Sequence, residues 1–345
     1  MEILASTLLF FLGLAILYVG AEGTIHGAVG IARRVGISSL MIGLTLIAYG
    51  TSAPELAIDI TAAVRGKTDL AFGDLLGSNI ANLGLILGVA AIIRPIQLNA
   101  AIVRFEIPLL ILQSVLVWYL CMDGSLARGD GVILLLSFGV VSCWTVHRGI
   151  REKHAYQQQV VALAEKVEAE DPWKELLATD RGSESQVLDR VRGSEKSFPR
   201  NSALVLLGLF GLIAGAQLMV HGAVGVARLL GVSELTIGLT IVAVGTSLPE
   251  LATSILASRR QESDIVIGNV AGSNLFNIGC ILGLVACIAP FEVPEQSLRW
   301  DLPLLIGFSA FLLPIAFAGG EIRRWLGWVF LGGFAIFIVL QVMHT

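Results

Sequence analysis

Two ungapped copies of one sequence block constrain this chain more than any other feature. "HGAVGIARRVGISSLMIGLTLIAYGTSAPELA" begins at His26, and "HGAVGVARLLGVSELTIGLTIVAVGTSLPELA" begins at His221, 195 residues later. The correspondence runs on to Pro95 and Pro290, and more than half of the aligned positions are identical. Repetition on this scale means one structural unit used twice. Both copies are apolar. Of the 345 residues, 55% are hydrophobic and 14% charged, against about a quarter charged in a soluble domain. The chain reads as an integral membrane protein, with the lipid bilayer as its main partner. No basic cluster suggests nucleic acid. Cys121, Cys143, Cys280 and Cys287 all lie in apolar runs without metal-ligand spacing and read as small apolar fillers. The opening "MEILAS" has no positive n-region and reads as the start of a retained first span.

A spanning helix needs roughly 20 mostly apolar residues. Ten runs qualify, at about 3–33, 38–64, 69–93, 101–121, 130–149, 202–230, 233–258, 264–289, 302–318 and 324–343. The expected fold is all-α, ten spans in two five-helix repeats, 1–149 and 201–345. A polar linker over 150–200 joins them, helical in its first part. Five is odd, so the second copy enters the membrane reversed. Inverted repeats are typical of secondary transporters, with the site at the repeat interface. If both termini face outside and the linker is cytoplasmic, Arg34, Arg94, Arg259, Arg323 and Arg324 fall inside. The aligned Leu229, Ala289 and Val64 fall outside, as the positive-inside rule requires. Lys67 against Glu262 is the one pair that disagrees. The expected location is therefore the cell (inner) membrane, with termini outside. Trp118, Trp144, Trp300, Trp325 and Trp328 fall near span ends and read as interface anchors.

"GTSAPE" at 50–55 and "GTSLPE" at 245–250 interrupt apolar runs. Pro54 and Pro249 have no N–H to give the carbonyls of Gly50 and Gly245, and each glycine permits a kink. Glu55 and Glu250 follow at once. An unpaired carboxylate at mid-membrane costs a few kcal/mol or more, and no Lys or Arg is near in sequence. The third and eighth spans read "GDLLGSNIANLG" from Gly73 and "GNVAGSNLFNIG" from Gly268. Ser78 and Asn82 share a helical face, as do Ser273 and Asn277. Gly77 and Gly272 are expected to let backbones approach closely. The donor set is oxygen throughout, which suits hard cations such as Ca²⁺ or Na⁺ and not soft transition metals. Each small residue alone would be an ordinary packing residue in a membrane helix. The duplicated set as a whole would not.

At these residues the chain resembles the cation/calcium exchanger superfamily, the sodium/calcium exchangers, most closely in size its prokaryotic members. The resemblance covers both repeats. It implies a ten-helix fold and Ca²⁺/Na⁺ antiport by alternating access, with no resident cofactor. It makes Glu55 and Glu250 the acidic ligands, Thr51, Ser52, Thr246, Ser247, Ser78 and Ser273 the hydroxyl ligands, and Asn82 and Asn277 the amide ligands. Backbone carbonyls would come from Ala48, Thr51, Ala243 and Thr246. Some members have Asp where this chain has Asn277, so a site of three acids becomes one of two. H⁺/Ca²⁺ exchange is the first alternative and a passive cation channel the second. An intramembrane hydrolase using Ser52 or Ser247 lacks a base, because His26 and His221 lie on other helices and read as polar packing residues. Two acids break the symmetry of the repeat: Asp59 aligns with Ser254, and Asp74 with Asn269. They either cap neighbouring helix ends or line an acidic outer vestibule.

Overall fold

The apolar runs become long helices because every backbone polar group in lipid must be satisfied within its own segment. The computed structural model describes residues 2–98, 102–170, 197–230, 243–318 and 320–344. In chain order the helices are α1 Glu2–Val35, α2 Ser39–Thr51, α3 Ala53–Val64, α4 Thr68–Ile93, α5 Ile102–Leu120, α6 Arg128–Glu170, α7 Ser197–Leu229, α8 Ala243–Thr246, α9 Leu248–Arg259, α10 Ser263–Ile288, α11 Ser297–Phe317 and α12 Arg324–His344. Among the described residues eight helices are long and apolar enough to cross a membrane. The bent pair α2 and α3 makes a ninth candidate. The span expected over 233–258 lies partly outside the described residues. Helix α6 continues without a break from the fifth span to Glu170. The polar segment expected from 150 thus begins as an extension of that helix, and its remainder to 196 lies outside the described residues.

Helices α4 and α10 are the core, with 72% and 78% of their apolar windows buried against 17% for α1 and 22% for α12. They are the aligned third spans of the two copies. The first half of each packs on the second half of the other, as antiparallel neighbours must, so the copies are inverted. Around this centre the contacts come in exchanged pairs: α4 with α12, α10 with α6, and α5 with α11. Four two-residue strands repeat the exchange. β1 Ile96–Gln97 follows α4 and pairs antiparallel with β4 Glu321–Ile322, just before α12. β2 Ser125–Leu126 precedes α6 and pairs antiparallel with β3 Phe291–Glu292, just after α10. Ile96 faces Ile322 and Leu126 faces Phe291, all four buried.

Helices α1 and α7 lie along each other outside this core. A methyl group on Gly13 would meet the Gly215 carbonyl at 2.7 Å, one on Gly20 the Gly208 carbonyl at 2.8 Å, and one on Gly222 the Ser6 carbonyl at 2.6 Å. Glycine at seven-residue spacing on both helices gives one smooth face each, and the backbones touch. His26 and His221 are exposed, not packed as expected, and the His221 ring bonds the Gln217 carbonyl of its own helix at 2.7 Å. All four cysteines are free. Trp300, Trp325 and Trp328 are exposed, while Trp118 is partly buried and donates to the Leu298 carbonyl at 3.2 Å.

Candidate functional site at the repeat interface

The proline-bearing segments do more than kink a helix. Helix α2 ends at Thr51, Ser52 leaves the helical region at φ −83°, ψ 9°, and α3 starts at Ala53 with the axis turned by 46°. Pro54 therefore sits in the first turn of a new helix, where its missing N–H costs nothing. Pro249 does the same in α9, after Ser247 at φ −85°, ψ 6°. Each break brings a helix N-terminus into the middle of a buried region. Glu55 and Glu250 both fall in that first turn, where the helix dipole favours negative charge. The glycines before the breaks answer a second need. A methyl on Gly50 would meet Leu209 at 2.6 Å and one on Gly245 would meet Val220 at 2.4 Å, so both broken spans press against α7.

Both acids are 1% exposed. They sit close enough for charge to act between them, and Asp74 and Asp59 act on Glu55 as well. No Lys or Arg among the described residues forms an ion pair with any of these four acids. Ser52 donates to Glu250 Oε1 at 2.9 Å, which joins the break of the first copy to the acid of the second. The mirror bond would run from Ser247 to Glu55. Instead Ser247 donates to the Ser78 hydroxyl at 3.5 Å, and Glu55 Oε2 and Glu250 Oε2 have no hydrogen-bond partner. Ser273 donates to the Ala48 carbonyl at 3.5 Å, and that carbonyl also receives Thr51 Oγ1 at 3.2 Å and the Ser52 N–H at 3.0 Å. Thr51, Ser52, Ser78, Thr246, Ser247, Ser273, Asn82 and Asn277 are all buried. Asn82 opens a π-helical turn in α4, Asn82–Ile86, and Asn277 lies in the matching turn of α10, Phe276–Ile281. Such turns recur at functional sites. Ala243 opens α8, beyond residues outside the description.

The small-residue expectation is met at Gly272, where a methyl would strike the Leu44 carbonyl at 2.4 Å; one on Gly77 would meet nothing within 4 Å among the described residues, and Leu239, which aligns with Leu44, lies outside them. An open vestibule at Asp59 is not what the structure has. Asp59 is fully buried with both carboxylate oxygens unpartnered, and Asp74 is half-buried. In the second copy the same positions form a closed neutral pair. Asn269 donates to Ser254 Oγ at 3.1 Å and to the Glu250 carbonyl at 3.3 Å, and accepts from Thr51 at 3.2 Å.

Several polar residues escaped the sequence reading. Asn79 and Asn274 stand inside the quoted "GSN" motifs, one residue off the face that Ser78 shares with Asn82 and Ser273 with Asn277. Glu106 is fully buried and pairs with Arg148, whose guanidinium lies 4.7 Å from the Phe105 ring centre and 5.2 Å from that of Trp144. Its aligned residue Asp301 accepts from Gln341 at 2.6 Å. An acid at the same place in both copies was the available signal. No group of three or more His, Cys, Asp or Glu among the described residues is arranged as a metal cluster. The buried polar groups at the breaks are two carboxylates with hydroxyls, amides and main-chain carbonyls, an all-oxygen set of the kind that suits a hard cation.

Antiparallel repeats in lipid, broken spans at their interface and a buried oxygen-lined acid pair define an ion-translocating membrane transporter, not an enzyme. A family model for sodium/calcium exchanger protein matches residues 5–146 and 201–343. The chain is 36% identical to the putative antiporter CaxA of Alkalimonas amylolytica over 93% of its own length and 92% of that protein. It is 33% identical to the sodium/calcium exchanger MaX1 of Methanosarcina acetivorans, over 96% of this chain and 97% of the relative. A solved structure of the sodium-calcium exchanger NCX_Mj, soaked with zero Na⁺ and Ca²⁺, superposes with a TM-score of 0.80 at 30% identity, covering 98% and 99% of the two chains. The chain belongs to the sodium/calcium exchanger family, and it is a multi-pass cation/calcium antiporter.

Proposed function

We propose that the protein exchanges Ca²⁺ for Na⁺ by alternating access, with Ca²⁺ held between Glu55 and Glu250. The observation behind this reading is the pair itself: two fully buried carboxylates in the first turns of two broken helices, with no cationic side chain among the described residues to neutralise them. Two negative charges balance one Ca²⁺. Hydroxyls of Thr51, Ser52, Ser78, Thr246, Ser247 and Ser273, amide oxygens of Asn82 and Asn277, and carbonyls of Ala48 and Ala243 supply candidates for the remaining ligands, about 6 to 8 in all. Na⁺ competes for the same carboxylates. Occupancy by one ion or the other couples the fluxes without a nucleotide. The glycine-faced pair α1 and α7 presses on both breaks from outside the core and is the element that opens the site to one side at a time.

The same reading takes 1–149 and 201–345 as the two inverted halves and 150–200 as a cytoplasmic connection. The termini are outside the cell (inner) membrane. The names of the exchangers MaX1 and NCX_Mj support Na⁺ as the counter-ion. The test is ⁴⁵Ca²⁺ uptake into vesicles reconstituted with the purified protein. An outward Na⁺ gradient drives uptake and an outward H⁺ gradient does not. Uptake driven by H⁺ alone replaces Na⁺ with H⁺ as the counter-ion, and uptake indifferent to both gradients replaces exchange with a passive channel.

A further inference from the structure

Four asparagines meet where α4 crosses α10: Asn79 and Asn82, with their counterparts Asn274 and Asn277. None is more than 1% exposed. The bonds among them decide which end of each amide faces which way. A main-chain carbonyl can only accept. Asn274 donates its Nδ2 to the Asn79 main-chain carbonyl at 3.2 Å, so the NH₂ end of Asn274 is committed there. Its Oδ1 is left facing Asn82. An amide oxygen also only accepts, so Asn82 must turn its own NH₂ toward Asn274, and it does so at 2.8 Å. The Oδ1 of Asn82 is thereby turned the other way. It is buried and has no hydrogen-bond partner. A buried carbonyl oxygen left without a donor is costly, and in a region holding two uncompensated carboxylates the fitting occupant is a cation.

We infer that Asn274 is a positioning residue: through this two-bond relay it turns the oxygen of Asn82, and not its amino end, toward the transported cation. Asn274 itself does not touch the ion. The mirror relay has its parts in place but is not engaged. Asn79 corresponds to Asn274 and Asn277 to Asn82, and neither side-chain polar group of Asn79 or Asn277 has a partner. One copy therefore presents an oriented amide and the other an unoriented one. When inverted copies exchange roles between access states, Asn79 takes over the same task for Asn277.

This inference rests on the proposed site, and equilibrium binding of ⁴⁵Ca²⁺ to the purified protein separates the two. A parent that binds no Ca²⁺ overturns the site and the relay together. A parent that binds, with an Asn274→Leu variant that binds equally well, overturns only the relay. The expected result is that Asn274→Leu and Asn82→Ala each weaken Ca²⁺ binding about 10-fold, the range seen when partners orienting a metal ligand are lost. The double variant should be no weaker than Asn82→Ala alone, because Asn274 acts only through Asn82. Losses that multiply in the double variant overturn the relay. Thermal melting in detergent establishes that each variant is folded, and Asn274→Ala is read in the same way if the leucine variant does not insert.

Discussion

One turn beyond Glu55 the first copy places Asp59, within reach of the charge of Asp74; one turn beyond Glu250 the second copy places Ser254, hydrogen-bonded to Asn269. The backbone is the same and the chemistry is opposite. At these positions the second copy closes its polar groups on one another, and the first leaves buried oxygens without donors. Toward the fourth spans the copies differ again: the fully buried Glu106 meets the Arg148 guanidinium, and its counterpart Asp301 accepts a bond from Gln341. An inverted repeat fixes where polar residues go, and divergence between copies then sets how much charge each half of the pathway holds.

The most severe way to break the comparison is at the residues the copies share. Glu55→Gln and Glu250→Gln should each abolish Na⁺-driven ⁴⁵Ca²⁺ uptake while the protein still inserts. Removing one of a few buried charged partners typically costs about 3–5 kcal/mol. Near-normal uptake by either variant would remove Ca²⁺ from between them. Next come the acids at the fourth spans. Glu106→Gln removes the carboxylate that pairs with the largely buried Arg148 and should lower stability by about 3–5 kcal/mol. Asp301→Asn weakens the bond from Gln341, and that bond should account for about 1–2 kcal/mol. Thermal unfolding in detergent reads both, and equal losses would mean that the guanidinium contributes nothing special.

A smaller effect is expected from making the first copy resemble the second. Asp59→Ser with Asp74→Asn should weaken Ca²⁺ affinity from the outer side several-fold and from the inner side less. Because Asp59 is buried, salt should screen the effect poorly, so the loss should persist at high ionic strength. Equal effects on both sides, or none, would mean that the two acids do not set the difference between the two sides of the site. Smallest is Asn277→Asp, which restores a third acid and should shift the Na⁺ concentration that displaces Ca²⁺. Superimposable competition curves for variant and parent would place Asn277 away from the ions.

Much of this is legible in the sequence. Pro54 and Glu55 are unusual enough in an apolar run that their recurrence at Pro249 and Glu250 located the breaks. The odd number of spans per copy implied inversion. What escaped was decided by contacts between spans. Helical spacing put Asp59 on the face of Glu55 but could not say whether water reaches that face, and it does not. Gly272 has the Leu44 backbone pressed against it, a contact that the spacing within its own span could not show. The asparagine relay depends on which carbonyl lies opposite Asn274, information held by α4 and not by α10. Strands of two residues are shorter than any periodic signal.

Those short strands bear on how the chain reaches its final state. β1 ends at Gln97 and cannot pair until the segment bearing Glu321 and Ile322 has been made. β2, at Ser125 and Leu126, waits likewise for Phe291 and Glu292. Each copy leaves the ribosome with an edge that only the other copy can cover. Ordering of the core is therefore delayed to a late stage of synthesis, and contacts so distant along the chain form slowly. The clasp that ties the two halves together also makes the first half, on its own, an unfinished protein.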